Sequence, residues 1–465
     1  MKILSRLISA ILTFAIVFSL SACFLLPNTG NTEDGFISKE KLEENVNATL
    51  ANDTYKCDYV YLYLKKWGID SFDGQKFFTY ENLFISKYNY GDGLPEKLTH
   101  AADTVNYFIE NYYDNIDLKN EVEVTDALIY SYVYTVGDKY AFYRTAEEFE
   151  DYDEEMSGKF GGIGIQVEYD HINKTILINQ VFKDGPAYEA GVKVGDYIIG
   201  VDGKSLDEIG GYQNAISLVR GKIGTDVTIT VDRKGEKIDI TVTRALITDF
   251  SVTYELLENK YGYIRISSFK DNTAEQFREA VEALEDLGAI GYIFDVRSNP
   301  GGYVHSAVDI VSYILPSHKK VVSYQYKGKG KETHYTSTDV LPEDEGLYGD
   351  HVIDLPMVII CDEHTASAAE IFVSALRDYD GPTADIIDLT IVGQNTYGKG
   401  IMQSTFGYTL DGSTVTFTTS YSIPPSEINF HGIGIAPDVE VELDNSGDDQ
   451  LEEAIKQLEI LLGSK

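Results

Sequence analysis

Three short stretches of this chain carry residue types that can break an acyl bond. Ser367, in TASAAE, follows an apolar run and stands three residues before Glu370. Lys399 lies between glycines in TYGKG, and Asn299-Pro300-Gly301-Gly302 closes a second apolar run. A serine hydroxyl is a weak nucleophile and needs a base positioned beside it. The tetrahedral intermediate needs N–H donors aimed at its oxyanion. Ser367 fits a nucleophile, but with Glu370 it also fits a capping box, which only completes helix-end hydrogen bonds. Spacing alone leaves both readings open.

Histidine is the usual base, and the chain has eight. His364, just before Ser367, and His305, just after the Pro-Gly-Gly turn, could reach the serine, but neither has an evident third group to orient it. Lys399 has a different setting. Glycines flank it, the apolar strand Ile391-Val392-Gly393 feeds it, and no Asp or Glu occurs from Gln394 to Phe406. A base lysine must be neutral, and lowering its pKa from about 10.4 to about 7 requires roughly 4.6 kcal/mol of differential desolvation. A buried ammonium without a carboxylate partner meets that demand. For the oxyanion, the Ala368 amide at the start of a helix is one donor, favoured by the helix dipole. The second comes from the glycine turn, where Gly302 is the first choice and Gly301 the next, because glycine lets the backbone approach closely.

These residues need a scaffold, and periodicity supplies one. YGYIRISSF, GYIFDV, LPMVIIC and TIVG read as strands separated by helices, a βαβ pattern with parallel pairing. Thr273 and Gln276 fit a capping box before a helix whose apolar face is Phe277, Val281, Leu284 and Leu287. IMQSTFGYTL and STVTFTTSYS form a hairpin turning at Asp411-Gly412, and DQLEEAIKQLEILL is a last amphipathic helix. In a strand, positions 399, 401 and 403 would share one side.

Upstream, FGGIGIQV sets glycines among alternating apolar residues, a loop able to turn N–H groups toward a carboxylate. The ordered series GGIGI, DGPAYEAGVKVGDYIIGVDG and LVRGKIGTDV resembles a PDZ domain of the bacterial protease type. With FDVRSNPGG, TASAAEIF and TYGKGIMQ following in order, about Leu128 to Val441 is similar to the carboxyl-terminal processing proteases, peptidase family S41. The resemblance implies a serine endopeptidase with a Ser367–Lys399 dyad and Gln403 beside it to orient the lysine. It also implies a PDZ groove at Phe160, Gly161, Gly162, Ile163, Gly164 and Ile165 that captures substrates with apolar C-terminal tails, and Arg220 as a residue coupling PDZ to catalysis. Both serines that usually flank the nucleophile are replaced, by Thr365 and Ala369, and residues 380–389 look like an insertion. A binding scaffold on a degenerate protease fold is the competing reading.

The fold class expected is α+β and multidomain. Residues 1–22 form a signal peptide, 23–95 a tether and N-terminal extension, and 96–157 a small helical unit. The PDZ domain is 158–246, the α/β peptidase core (βαβ units plus hairpin) is 247–445, and the C-terminal helix is 446–465. Lys2 and Arg6 precede an apolar run ending in Leu20-Ser21-Ala22-Cys23. That ending resembles a bacterial lipobox, implying a lipid on Cys23 and an extracytoplasmic protein anchored to the membrane. An uncleaved membrane anchor is the alternative, since the apolar run continues through Leu26. Net charge is −37, which argues against nucleic acid as a partner, since phosphate binding needs clustered Lys and Arg. No Cys/His cluster has zinc-ligand spacing, and neither metal nor cofactor is called for. Self-association of the chain is left open.

Overall fold

The computed structural model describes residues 38–51, 60, 64, 69, 72–88, 97–170, 175–183, 185–258, 260–326, 331–335, 351–380, 386–442 and 448–463. Cys23, Cys57, the turn at 171–174 and half of the apparent insertion (381–385) lie outside them. The chain divides into two compact units.

The first unit holds helices Lys39–Ala51, Gly74–Lys87, Lys97–Asn111 and Glu121–Thr135, strand Phe142–Arg144, and the hairpin Ile401–Gly407 with Thr414–Ile423. Asp73 and Asn120 cap two of the helices through side-chain oxygens. Phe77, Phe84, Phe108, Tyr132 and Phe417 share its core, and the Phe84 and Phe417 rings stack at 4.1 Å. Leu42, Val46, Phe77 and Phe84, from the stretch expected to be a tether and N-terminal extension, are buried in this core. The 401–422 hairpin packs with these helices in the first unit.

The second unit contains the PDZ insert and the α/β core. The insert is a sheet ordered 165–170, 175–181, 197–201, 226–233, 236–243, with helices Pro186–Glu189 and Tyr212–Val219. Lys159–Gly162 pairs with Ala245–Thr248, and the Asp249 N–H donates to the Gly158 carbonyl (2.8 Å), so the insert enters and leaves the core at one point.

The core sheet is ordered 252–256, 262–266, 292–295, 357–361, 389–393, 439–440, antiparallel at the first pair and parallel beyond it. Strands Tyr292–Asp295 and Met357–Cys361 are buried at every position, as parallel strands covered on both faces must be. Strand Val252–Leu256 was not foreseen; it pairs with Gly262–Ile266 as the sheet's first edge. The Thr273/Gln276 capping box does not form. Asn272 is the N-cap, and Gln276 Oε1 instead accepts the N–H groups of Ser251 (2.9 Å) and Val252 (3.1 Å).

Candidate active site

The two central strands are parallel neighbours, so their C-terminal ends deliver two turns to one place. The turn after Asp295 carries Asn299 to Gly302, and the turn after Cys361 leads to Ser367. Asp362 joins them by accepting the Ser298 N–H (2.9 Å) and the Thr365 hydroxyl (3.0 Å). The Ala366 N–H donates to the Asn299 carbonyl (2.9 Å). Asn299, fully buried, donates from Nδ2 to the Ile266 carbonyl (2.9 Å) and accepts the Gly301 N–H on Oδ1 (2.9 Å).

That last bond changes the balance between the two glycines. The Gly301 N–H is engaged by Asn299, whereas the Gly302 N–H has no hydrogen-bond partner among the described residues. Gly301 matters instead for fit. At φ +102 its Cα lies so close to the nucleophile turn that a Cβ would stand 2.8 Å from Ser367 Cβ and 2.9 Å from the Ala368 nitrogen. A Cβ on Gly302 would stand 2.0 Å from the Phe269 carbonyl oxygen.

Ser367 sits at φ 57, ψ −117, a conformation that strains any residue but glycine, and helix Ala368–Arg377 starts immediately after it. The Ala368 N–H, in the helix's first turn, has no hydrogen-bond partner among the described residues. Glu370 reaches back to accept the Ser367 N–H at 2.9 Å, so the capping-box spacing is used.

The same carboxylate does more. Glu370 Oε2 also accepts the Lys399 N–H (2.7 Å), and Oε1 accepts the Gly398 N–H (2.7 Å) and the Thr396 hydroxyl (2.6 Å). One fully buried side chain thereby holds the backbones of Ser367 and Lys399. Burial pushes its carboxyl above the usual range, while the four donors pull the other way. The Tyr397 N–H adds a bond to the Thr365 carbonyl (3.0 Å), and the Gly432 N–H donates to the Gly398 carbonyl (2.8 Å). Lys399 is half-buried. The clamp was missed because a side chain that reads as a cap gives no hint of a second set of donors 26–29 residues later.

Gln403 lies in the hairpin of the first unit, where its amide donates to Thr418 Oγ1 (3.1 Å). The expected 399/401/403 alternation does not hold, because the strand begins at Ile401 and a bulge falls between Met402 and Gln403. The histidines nearest in sequence face outward: His305 pairs with Asp271 (2.9 Å) and His364 with Glu363 (3.7 Å), both rings more than half exposed.

Behind the oxyanion turn, Arg297 binds buried Asp295 (3.0 Å from Nε) and, through Nη1, Asp448 at the foot of the C-terminal helix (2.7 Å). In the PDZ insert, Phe160, Gly162, Ile163, Gly164 and Ile165 line a cavity of about 590 Å³, together with Arg220. The Arg220 guanidinium lies over the Phe160 ring, 4.4 Å from its centroid. Gly161 does not line it: its N–H donates to Glu154 (2.6 Å), and a Cβ there would stand 2.0 Å from the Gly221 carbonyl oxygen. Strand Ile165–Asp170 is the edge of its sheet, a place where an extended peptide can add.

The model of peptidase family S41 matches residues 260–441, and a PDZ domain model matches residues 161–243. The carboxy-terminal processing protease CtpA of Bacillus subtilis (strain 168) is 33% identical over 354 residues, covering 76% of this chain and 70% of that protein. A "Probable CtpA-like serine protease" of Staphylococcus haemolyticus (strain JCSC1435) is 32% identical over 351 residues, covering 74% of this chain and 64% of its own length. The solved photosystem II D1 C-terminal processing protease is 22% identical, with 78% of this chain and 91% of that chain covered at a TM-score of 0.42.

Proposed function

The chain belongs to peptidase family S41, a family of serine endopeptidases, and we propose that it cleaves polypeptides with Ser367 as nucleophile and Lys399 as general base. Neutral Lys399 takes the hydroxyl proton as Ser367 attacks the scissile carbonyl. The developing oxyanion lies against the N–H groups of Ala368 and Gly302. As the tetrahedral intermediate collapses, Lys399 returns the proton to the departing amine. Water, deprotonated in the same way, then attacks the acyl-enzyme and releases the new C-terminus. The observation that carries this reading is the single carboxylate oxygen of Glu370 that accepts the N–H of both Ser367 and Lys399.

The PDZ groove captures the apolar C-terminal tail of a protein substrate by strand addition, with Arg220 coupling occupancy to catalysis. The lipobox-like segment at Cys23 supports an extracytoplasmic protease held to the membrane by a lipid.

Substituting Lys399 by Ala tests the dyad. Cleavage of a disordered protein tail should disappear while the fold is kept. Surviving activity would assign the base to a histidine, and a wild-type protein that never cleaves would favour a binding scaffold.

A further inference from the structure

The cavity that holds the PDZ groove does not end within the PDZ domain. Its lining continues through Phe250 to Val252, Thr253 and Tyr254, on the first edge of the core sheet. That edge has backbone groups to offer. The Ser267 N–H donates to the Ser251 carbonyl (2.9 Å) and the Leu257 N–H to the Tyr261 carbonyl (2.9 Å), which fixes the phase of the pairing. The Ser251 carbonyl and the N–H and C=O groups of residues 253, 255 and 257 face the neighbouring strand, those of Val252, Tyr254 and Leu256 face outward, and the Ser251 N–H turns to Gln276 (2.9 Å). Gln276 closes the first outward N–H, at Val252 (3.1 Å). The N–H and C=O of Tyr254 lie on the outer side of the edge, and Tyr254 and Phe250 are 48% and 59% exposed. Phe182 of the PDZ insert meets Phe250 edge-on at 6.1 Å between ring centres, so the aromatic ledge is continuous across the junction.

The edge also leads toward the chemistry. Val252 is paired with Ile266, and three residues later Phe269 donates its N–H to the Gly301 carbonyl (2.9 Å) and accepts the Tyr303 N–H (2.7 Å).

We propose that the outer edge of Val252–Leu256 is a second strand-addition site, occupied by the extended stretch of substrate just upstream of the tail held in the PDZ groove. Unpaired edge groups beside exposed aromatics otherwise invite aggregation. Here they lie in the cavity that takes the tail, so their occupant is the same polypeptide. Backbone pairing there is indifferent to sequence, while the Phe250–Tyr254 ledge favours an apolar or aromatic substrate side chain. The inference rests on PDZ capture of the tail.

The test uses the full chain carrying Ser367→Ala and two fluorescein-labelled peptides that share the same apolar last six residues, one of six residues and one of fourteen. At about 3.3 Å per residue the shorter peptide extends about 20 Å and the longer one about 46 Å, so the longer one has chain left for the second edge. Fluorescence anisotropy should show the longer peptide binding about tenfold tighter. Tyr254→Pro removes an outward N–H without touching the ladder, a change that edge strands tolerate. It should abolish the tenfold gain, bringing the longer peptide's affinity down to that of the short one. Phe250→Ser, which leaves the strand's backbone as it is, should reduce the gain severalfold. Equal affinity for both lengths, or a gain that survives both substitutions, overturns the second site while the PDZ reading stands. No binding of either peptide overturns the PDZ reading, and the inference with it.

Discussion

Replacing Glu370 by Gln asks whether the nucleophile and its base are held together by one carboxylate. The two side chains have the same shape, but one terminal atom changes from acceptor to donor. Oε2 takes the N–H groups of Ser367 (2.9 Å) and Lys399 (2.7 Å), and Oε1 takes the Thr396 hydroxyl (2.6 Å) and the Gly398 N–H (2.7 Å). If Oε2 becomes the NH2 group, the N–H groups of Ser367 and Lys399 both face a donor; if Oε1 does, only the Gly398 N–H does, because the Thr396 hydroxyl can turn to accept. One or two charge-assisted bonds are lost, about 1.5–3 kcal/mol each. Global stability should fall by much less than their sum. Burial already holds the carboxyl above its usual range, so desolvation outweighs the four bonds, and a neutral amide escapes that penalty. We expect a Tm within about 3 °C of wild type. If one lost bond is felt as misalignment of Ser367 against Lys399, kcat falls about 100-fold, or ~2.7 kcal/mol. KM for a long-tailed substrate should hardly change, because the tail is held in the PDZ domain. Steady-state cleavage of a fluorogenic tail, with thermal denaturation of the same sample, measures all three. Wild-type kcat in a folded Glu370→Gln protein refutes the clamp, and so does a loss of activity that merely follows a loss of fold. The sign of the pH effect is also fixed. A carboxyl whose folded pKa is raised binds its proton more tightly in the folded state, so stability declines as pH rises from the unfolded value through the raised one. That decline should be missing from the Tm–pH profile of Glu370→Gln.

Ser367→Gly should be inactive yet more stable than Ser367→Ala, since φ 57, ψ −117 strains any side chain by about 1–3 kcal/mol; a lower Tm for the glycine variant would count against strain. Gly301→Ala should cost about 100-fold or more in kcat with circular dichroism unchanged, because its Cβ would press on Ala366 O at 2.7 Å and Ser367 Cβ at 2.8 Å. Asp448 is held below the ordinary carboxylate range, chiefly by its hydrogen bond to Arg297. Its contribution to stability is therefore complete above the ordinary value and lost as pH falls through the lowered one. Asp448→Asn should flatten the acid limb of the Tm profile below about pH 4, and an unchanged limb would show that the Arg297 pair is uncoupled from folding.

The parallel core was legible because buried strands such as Met357–Cys361 are continuous apolar runs, here bounded by Pro356 and Asp362. The edge strand Val252–Leu256 was not, since one side of it faces water and its alternation is broken by Thr253, Tyr254 and Glu255 in succession. Ser367 and Lys399 could be named from local chemistry, and the glycine turn from its proximity to a strand end. The relation between them could not. Gln276 and Glu370 sit at identical capping-box spacing, yet Gln276 spends its oxygen on Ser251 and Val252 while Glu370 does cap. Only tertiary packing decides which donors a buried acceptor meets.

The clamp also alters the case for a neutral lysine. The segment from Gln394 to Phe406 carries no acid, yet folding places the Glu370 carboxylate on the backbone N–H of Lys399 itself. A bare buried charge there would hold the ammonium protonated and spoil it as a base. Four donors surround that charge, two on each oxygen, and compensate much of its field before it reaches the lysine. Glu370 thus aligns the dyad at an electrostatic cost that its own ligands reduce without removing. In Glu370→Gln the residual charge is gone, and with it whatever part of its field reached the dyad. The acid limb of the kcat profile should then move to lower pH even as the maximum falls. Alignment and electrostatics therefore leave separate marks on one curve. A limb that stays in place would mean that the donors already silence the carboxylate completely, and that Glu370 acts on the dyad through geometry alone.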